Sequence, residues 1–226
     1  MYIKKLLKSL IPLYILLLLN PILLFIIASV YATYNIDNLT NFINNYGGII
    51  LILTNITYII YIIKKHRIKV NKYNLIDNYP KIYLFISIPL FLNSLILLIN
   101  NQKIPTINIY IALFGSVIIG PILEELVFRY LIYNNLNKFN KKNTSIILSS
   151  IIFALVHNGF INIVYAFIIG TILTIIYSKN KNIKEVIILH MVANLMSLLI
   201  KEYNPIILIS SFLCLIFSLY IIKMNK

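Results

Sequence analysis

Apolar positions in this chain do not recur at the three-to-four-residue spacing of a helix lying on a water-soluble core. They run on almost unbroken, in segments 10–32, 42–63, 82–99, 109–133, 145–156, 161–177, 186–200 and 205–222. Most of these reach about 18 residues or more, the length needed to cross a hydrocarbon layer roughly 30 Å thick. The pattern predicts an all-α fold: a polytopic membrane helical bundle of about eight transmembrane helices, in a single membrane domain over 1–226. Segment 145–156 is too short to cross unaided at about 1.5 Å per residue. It is expected to continue through His157 and Asn158, to be sheltered by its neighbours, or to be re-entrant. The first segment exceeds the roughly 7–15 residues of a signal-peptide core, so it reads as the first membrane helix.

The polar interruptions agree with that reading. With the N-terminus inside, seventeen of the twenty Lys and Arg residues fall on inner segments, only Lys103 and Lys201 fall outside, and Arg129 lies within a helix. Cytoplasmic loops collect Lys and Arg, so both termini are expected in the cytoplasm. Composition adds weight: 60% of the residues are hydrophobic and the mean hydropathy is +0.90, against about half apolar in soluble domains. The formal net charge of +14 could suggest nucleic acid, but these cations are dispersed through short loops instead of gathered on one soluble face. That placement suits orientation in the bilayer and attraction to membrane lipids, and it argues against a nucleic-acid partner. Cys214 is the one cysteine, which excludes an internal disulfide and a four-cysteine metal site. Richness in Ile, Asn, Lys and Tyr, with no Trp, points to AT-heavy codons and so to a bacterial plasma membrane.

Only six acidic residues occur, and Asp37, Asp77, Glu185 and Glu202 fall in loops or at helix ends. Glu124 and Glu125 are adjacent inside an apolar helix, where an unpaired charge costs roughly 3 kcal/mol or more. Glu125 and Arg129 are spaced i, i+4 and can pair along one helix side. Glu124 lies about 100° around the helix from Glu125 and is expected to face something else. Of three histidines, His66 belongs to a basic loop, while His157 and His190 lie at or within apolar helices. His190 and Asn194 are again spaced i, i+4, so imidazole and carboxamide can address a common point. Left on lipid-facing surfaces, these groups would be unsatisfied.

Together they form a pocket suited to activating water: a carboxylate and an imidazole take its proton as it attacks a carbonyl, and His and Asn donors stabilise the oxyanion. Ser149 and Ser150 lack the Gly-x-Ser-x-Gly setting of a serine nucleophile. Glu124, His157 and His190 also make a His₂Glu set of the kind found at catalytic zinc, although the helical His-Glu-x-x-His signature is absent. Metal-dependent and metal-free hydrolysis both stay open.

The residues Glu124-Glu125-Leu-Val-Phe-Arg129, Phe153-Ala-Leu-Val-His157 and His190-Met-Val-Ala-Asn194 resemble the three motifs of the CPBP intramembrane proteases, also called the CAAX-protease and bacteriocin-processing family. The resemblance places the catalytic region within 109–200. It implies that Glu124 and His157 activate water, that His190 and Asn194 form the oxyanion site, and that Glu125 and Arg129 brace it. The family is often described as metalloproteases, yet a glutamate-dependent mechanism without metal is also argued for relatives, and the second is the reading favoured here. Eukaryotic members trim prenylated CAAX proteins, whereas bacterial ones are linked to peptide processing and bacteriocin self-immunity. A membrane-associated peptide or protein is therefore the expected substrate.

The principal expectation is an intramembrane endopeptidase in which Glu124, His157 and His190 converge. The alternative is a non-catalytic immunity or regulatory membrane protein keeping the cluster for structural specificity. A transporter or proton relay is a third reading, disfavoured because the sequence shows no inverted symmetry.

Overall fold

A long apolar run without water around it has one local way to satisfy its backbone N–H and C=O groups, which is to wind into a helix. The computed structural model describes residues 2–34, 39–68, 74, 78–100, 109–200 and 202–224. Among these residues the regular structure is entirely helical. The helices are α1 (Tyr2–Ser9), α2 (Ile11–Tyr34), α3 (Leu39–His66), α4 (Tyr79–Asn100), α5 (Ile109–Leu136), α6 (Lys142–Leu155), α7 (Phe160–Asn180), α8 (Ile183–Leu199) and α9 (Pro205–Met224). Asp37, Asp77, Lys69, Lys72, Lys103, Lys201 and Lys226, used above to read charge and topology, lie outside the described residues.

Among the described residues six helices, α2, α3, α4, α5, α7 and α9, are long and apolar enough to cross a membrane. The two remaining apolar segments lie on α6 and α8, of 14 and 17 residues, short of the roughly 20 that a span requires. Phe25, Leu53, Ile209 and Phe217 on the long helices are exposed. An exterior that is itself apolar belongs to a protein whose solvent is lipid.

Contacts divide the chain into two compact units. The first, Met1–Lys69 with Ile109–Ser149, holds α1, α2, α3, α5 and the first part of α6. Asn20 Nδ2 donates to Asn55 Oδ1 at 3.0 Å, and Tyr58 OH donates to the Pro12 carbonyl at 3.1 Å, so polar bonds join α2 to α3 where hydrophobicity offers no preference between protein and lipid.

The second unit, Val70–Asn108 with Ser150–Lys226, packs α4 against α8 and α9 and α7 against α8. Phe91 and Phe212 lie 5.4 Å apart across the α4–α9 contact. Tyr165 OH and Ser197 Oγ share a hydrogen bond of 3.0 Å between α7 and α8. At the start of α8, the Asn182 side chain caps the helix by accepting from the Glu185 N–H, the ordinary way to satisfy a first-turn donor. The buried Glu185 carboxylate accepts from Asn180 Nδ2 and from Lys81 Nζ at 2.5 Å. Lys81, expected to end a cytoplasmic loop, is instead in the first turn of α4 and ties that helix to α8.

Candidate active site

Helix α5 is wound unusually. Residues Ala112–Ile119 and Leu126–Tyr133 are π-helical, and a single α-helical stretch, Gly120–Glu125, lies between them. The Gly120 N–H donates to the Gly115 carbonyl five residues back. A Cβ at Gly120 would lie 3.0 Å from that oxygen and 3.7 Å from Glu124 Oε1. Glycine thus allows the wide turn to close, and the Glu124 side chain reaches back over it. π-helical turns are rare and concentrate at functional sites; here they flank the two glutamates.

Glu125 and Arg129 are both fully buried, and Arg129 NH1 lies 2.9 Å from Glu125 Oε1. The i, i+4 pair read from the sequence is therefore formed. Glu124, the next residue along, is only half-buried, so the neighbouring carboxylates occupy different surroundings. Ser149 Oγ, buried on α6, donates to the Phe128 carbonyl at 3.1 Å. This hydroxyl satisfies a main-chain acceptor in the widened turn beside Arg129, a structural task that a reading of serine as nucleophile does not foresee.

In the second unit, α6 ends at Leu155, and His157 falls in the short connection to α7 instead of on the helix. The connection ends at Gly159, whose φ of +86° is a backbone state that side-chain-bearing residues rarely adopt. His157 Nδ1 is 2.9 Å from the Phe153 carbonyl, one of the acceptors that a helix end leaves without an intrahelical donor. A carbonyl can only accept, so Nδ1 is the donor in this bond, and it is Nε2 that carries the lone pair whenever the ring is neutral.

The buried ring of Phe153 meets both histidines. It lies edge-on to His157 at 4.8 Å and to His190 at 5.8 Å between ring centroids. The structure thus brings His157 and His190 into contact with one aromatic side chain. His190 is buried on α8, with Asn194 half-buried one turn further along. Phe153 is visible in the sequence only as a motif position; its function as the shared packing surface requires the fold. Glu124, Glu125 and Arg129 belong to the first unit and His157, His190 and Asn194 to the second. Within either unit, the described residues show no group of three His, Cys, Asp or Glu side chains placed to hold a metal ion.

An apolar cavity of 520 Å³ in the second unit is lined by Leu84, Ile88, Phe91 and Ile172 among others, with Lys81 and Lys179 also in its wall. Neither histidine lines it, so this cavity is not where the polar motifs lie.

Residues 106–196 match the family described as type II CAAX prenyl endopeptidase Rce1-like, and the resemblance read from the motifs holds across that region. The chain is 37% identical over 115 residues to the membrane-embedded CAAX protease MroQ of Staphylococcus aureus, covering 48% of this chain and 44% of that protein. It is 42% identical over 79 residues to the UPF0177 protein YxdF of Lactococcus lactis, covering 34% of this chain and 43% of that one. With the UPF0177 protein YbdJ of the same species it shares 37% identity over 89 residues, covering 39% and 36%. In each case the match spans less than half of the relative's length. No solved structure matches the chain. These bacterial relatives fit a bacterial origin.

Proposed function

We propose that this protein is an intramembrane endopeptidase that hydrolyses a peptide bond of a membrane-associated peptide or protein. The observation carrying this reading is the His157 imidazole, whose Nδ1–H is committed to the Phe153 carbonyl at 2.9 Å. In the neutral ring that bond makes Nε2 the proton acceptor, the form a general base requires. In this reading Glu124 and His157 take a proton from water as its oxygen attacks the scissile carbonyl carbon. His190 and Asn194 donate to the oxyanion. Collapse breaks the C–N bond, and the proton passes from the Glu124–His157 pair to the departing amine. Glu125 and Arg129 neutralise each other and hold the α5 turn that presents Glu124.

The scheme needs the two groups to converge at one carbonyl, with α6 and α8 completing an eight-helix bundle whose termini are cytoplasmic. The pairing of both imidazoles on Phe153 supports the histidine half of that arrangement, and its meeting with Glu124 rests on the resemblance of the three motifs. The similarity to a membrane-embedded CAAX protease supports the reaction class. Because bacteria generally lack prenylated CAAX proteins, a small membrane peptide suits a bacterial chain better than a CAAX substrate. Two imidazoles and a carboxylate are also the donor chemistry of catalytic zinc, which would polarise the carbonyl and acidify water.

The test is cleavage of a membrane-peptide library by the full chain in nanodiscs, comparing wild type, Glu124→Gln and chelator-treated protein. General-base loss predicts a fall of about 10²–10⁴-fold in Glu124→Gln, and survival with chelator supports the metal-free route; loss with chelator assigns the site to zinc. A wild type that cleaves nothing, yet still protects cells against a peptide toxin after Glu124→Gln, replaces the enzyme with the non-catalytic immunity reading.

A further inference from the structure

At one end of the first unit lies a cavity that the proposed reaction does not use. It has a volume of 460 Å³, and its lining includes Lys5 and Lys8 of α1, Lys65 at the end of α3, and Lys138 just beyond α5. His66 joins them, and among the described residues no Asp or Glu lines the space. The partners found for these lysines are neutral: Lys65 Nζ donates to Tyr61 OH at 2.7 Å and lies 5.0 Å from that ring. Lys138 Nζ donates to Asn135 Oδ1 at 3.0 Å. Four ammonium groups therefore share one cavity whose described lining offers no carboxylate.

The walls are tied in place. The Tyr58–Pro12 hydrogen bond fixes α3 to the start of α2, and His66 meets Tyr130 edge-on at 6.0 Å, fixing α3 to α5. The cavity lies where α2, α3 and α5 end as apolar spans, and its lining also includes the apolar Ile11, Pro12, Leu131 and Phe139. A concentrated positive charge beside apolar surface at a membrane edge suits one kind of ligand, an amphiphile whose anionic head adjoins hydrocarbon.

We propose that this cavity is a binding site for the phosphate headgroup of an anionic phospholipid, held by Lys5, Lys8, Lys65 and Lys138. Ile11, Pro12 and Phe139 meet the adjoining glycerol and upper acyl chains. The assignment does not depend on catalysis and would serve an immunity protein equally well.

The experiment reads lipid retention by native mass spectrometry on the full chain, released from nanodiscs of phosphatidylcholine containing a minority of phosphatidylglycerol. Wild type is expected to retain phosphatidylglycerol preferentially. At about fivefold per lysine, the double variant Lys65→Gln/Lys138→Gln should lose on the order of 25-fold in that preference. The control pair Lys184→Gln/Lys223→Gln, on exposed positions of the second unit, should lose less than about twofold, since it lies outside the cavity. Thermal unfolding of each variant in detergent confirms that it is folded. Equal losses in the two pairs, or no preference in wild type, overturn the site in favour of diffuse attraction to the surface. Stabilisation of lipid-stripped wild type by inorganic phosphate as large as that by phosphatidylglycerol overturns the lipid assignment in favour of a free anion.

Discussion

The Nδ1–H of His157 donates to the carbonyl of Phe153, four residues back, at 2.9 Å, while the Phe153 ring itself packs against both His157 and His190. One residue thus orients the first imidazole through its backbone and supports both imidazoles through its side chain. Phe153→Leu is expected to keep the backbone bond and lose the flat surface. Cleavage should fall at least about tenfold, on the scale seen when a misplacement of about 1 Å costs 10²-fold. Phe153→Ala should in addition destabilise the protein by about 3–5 kcal/mol. Thermal unfolding and kcat, measured on both variants, separate the two effects; full activity in Phe153→Leu would remove the ring from the site.

The buried Glu125–Arg129 pair makes a prediction about stability that is independent of chemistry. Arg129→Met leaves a carboxylate without its partner in an apolar helix and should cost about 3–5 kcal/mol. Adding Glu125→Leu should recover most of that loss, because removing both charges also removes the penalty of burying them. Denaturant titration in detergent measures each variant. A change below about 0.5 kcal/mol in Arg129→Met would contradict the pairing.

Lys81 and Glu185 make the same test in the second unit. The Glu185 carboxylate is buried and Lys81 is its cation at 2.5 Å. Lys81→Met should destabilise the α4–α8 contact markedly, whereas Lys81→Arg should retain most of it. Hydrogen exchange at the first turns of α4 and α8 should rise in Lys81→Met only. Unchanged exchange would show the pair to be dispensable.

Hydropathy locates the helices because a membrane asks for long apolar runs whatever the tertiary contacts are, and it identifies 145–156 as the segment that falls short. The Glu125–Arg129 pair is legible for the same local reason: helical spacing alone brings the two side chains together. Lys81 and Glu185 are not legible, since they meet across 104 residues of sequence and nothing in either neighbourhood names the other. The π-helical winding of α5 also escapes a reading built on regular helix geometry, although Gly115, Gly120 and Pro121 supply the small residues and the missing donor that permit it. His157 is expected at or within a helix and is found just past one. Gly159 is the local sign of that break, but the bond from His157 to a helix-end carbonyl depends on where α6 stops.

The most direct test of the central claim is a double-mutant cycle on single-turnover cleavage by wild type, Glu124→Gln, His157→Ala and the double variant, all folded in nanodiscs. If Glu124 and His157 activate one water together, each single change should cost about 10²–10⁴-fold and the double change little more than the worse single one, because groups acting as a unit are strongly non-additive. Losses that multiply, or a single variant that cleaves at the wild-type rate, would contradict the shared site.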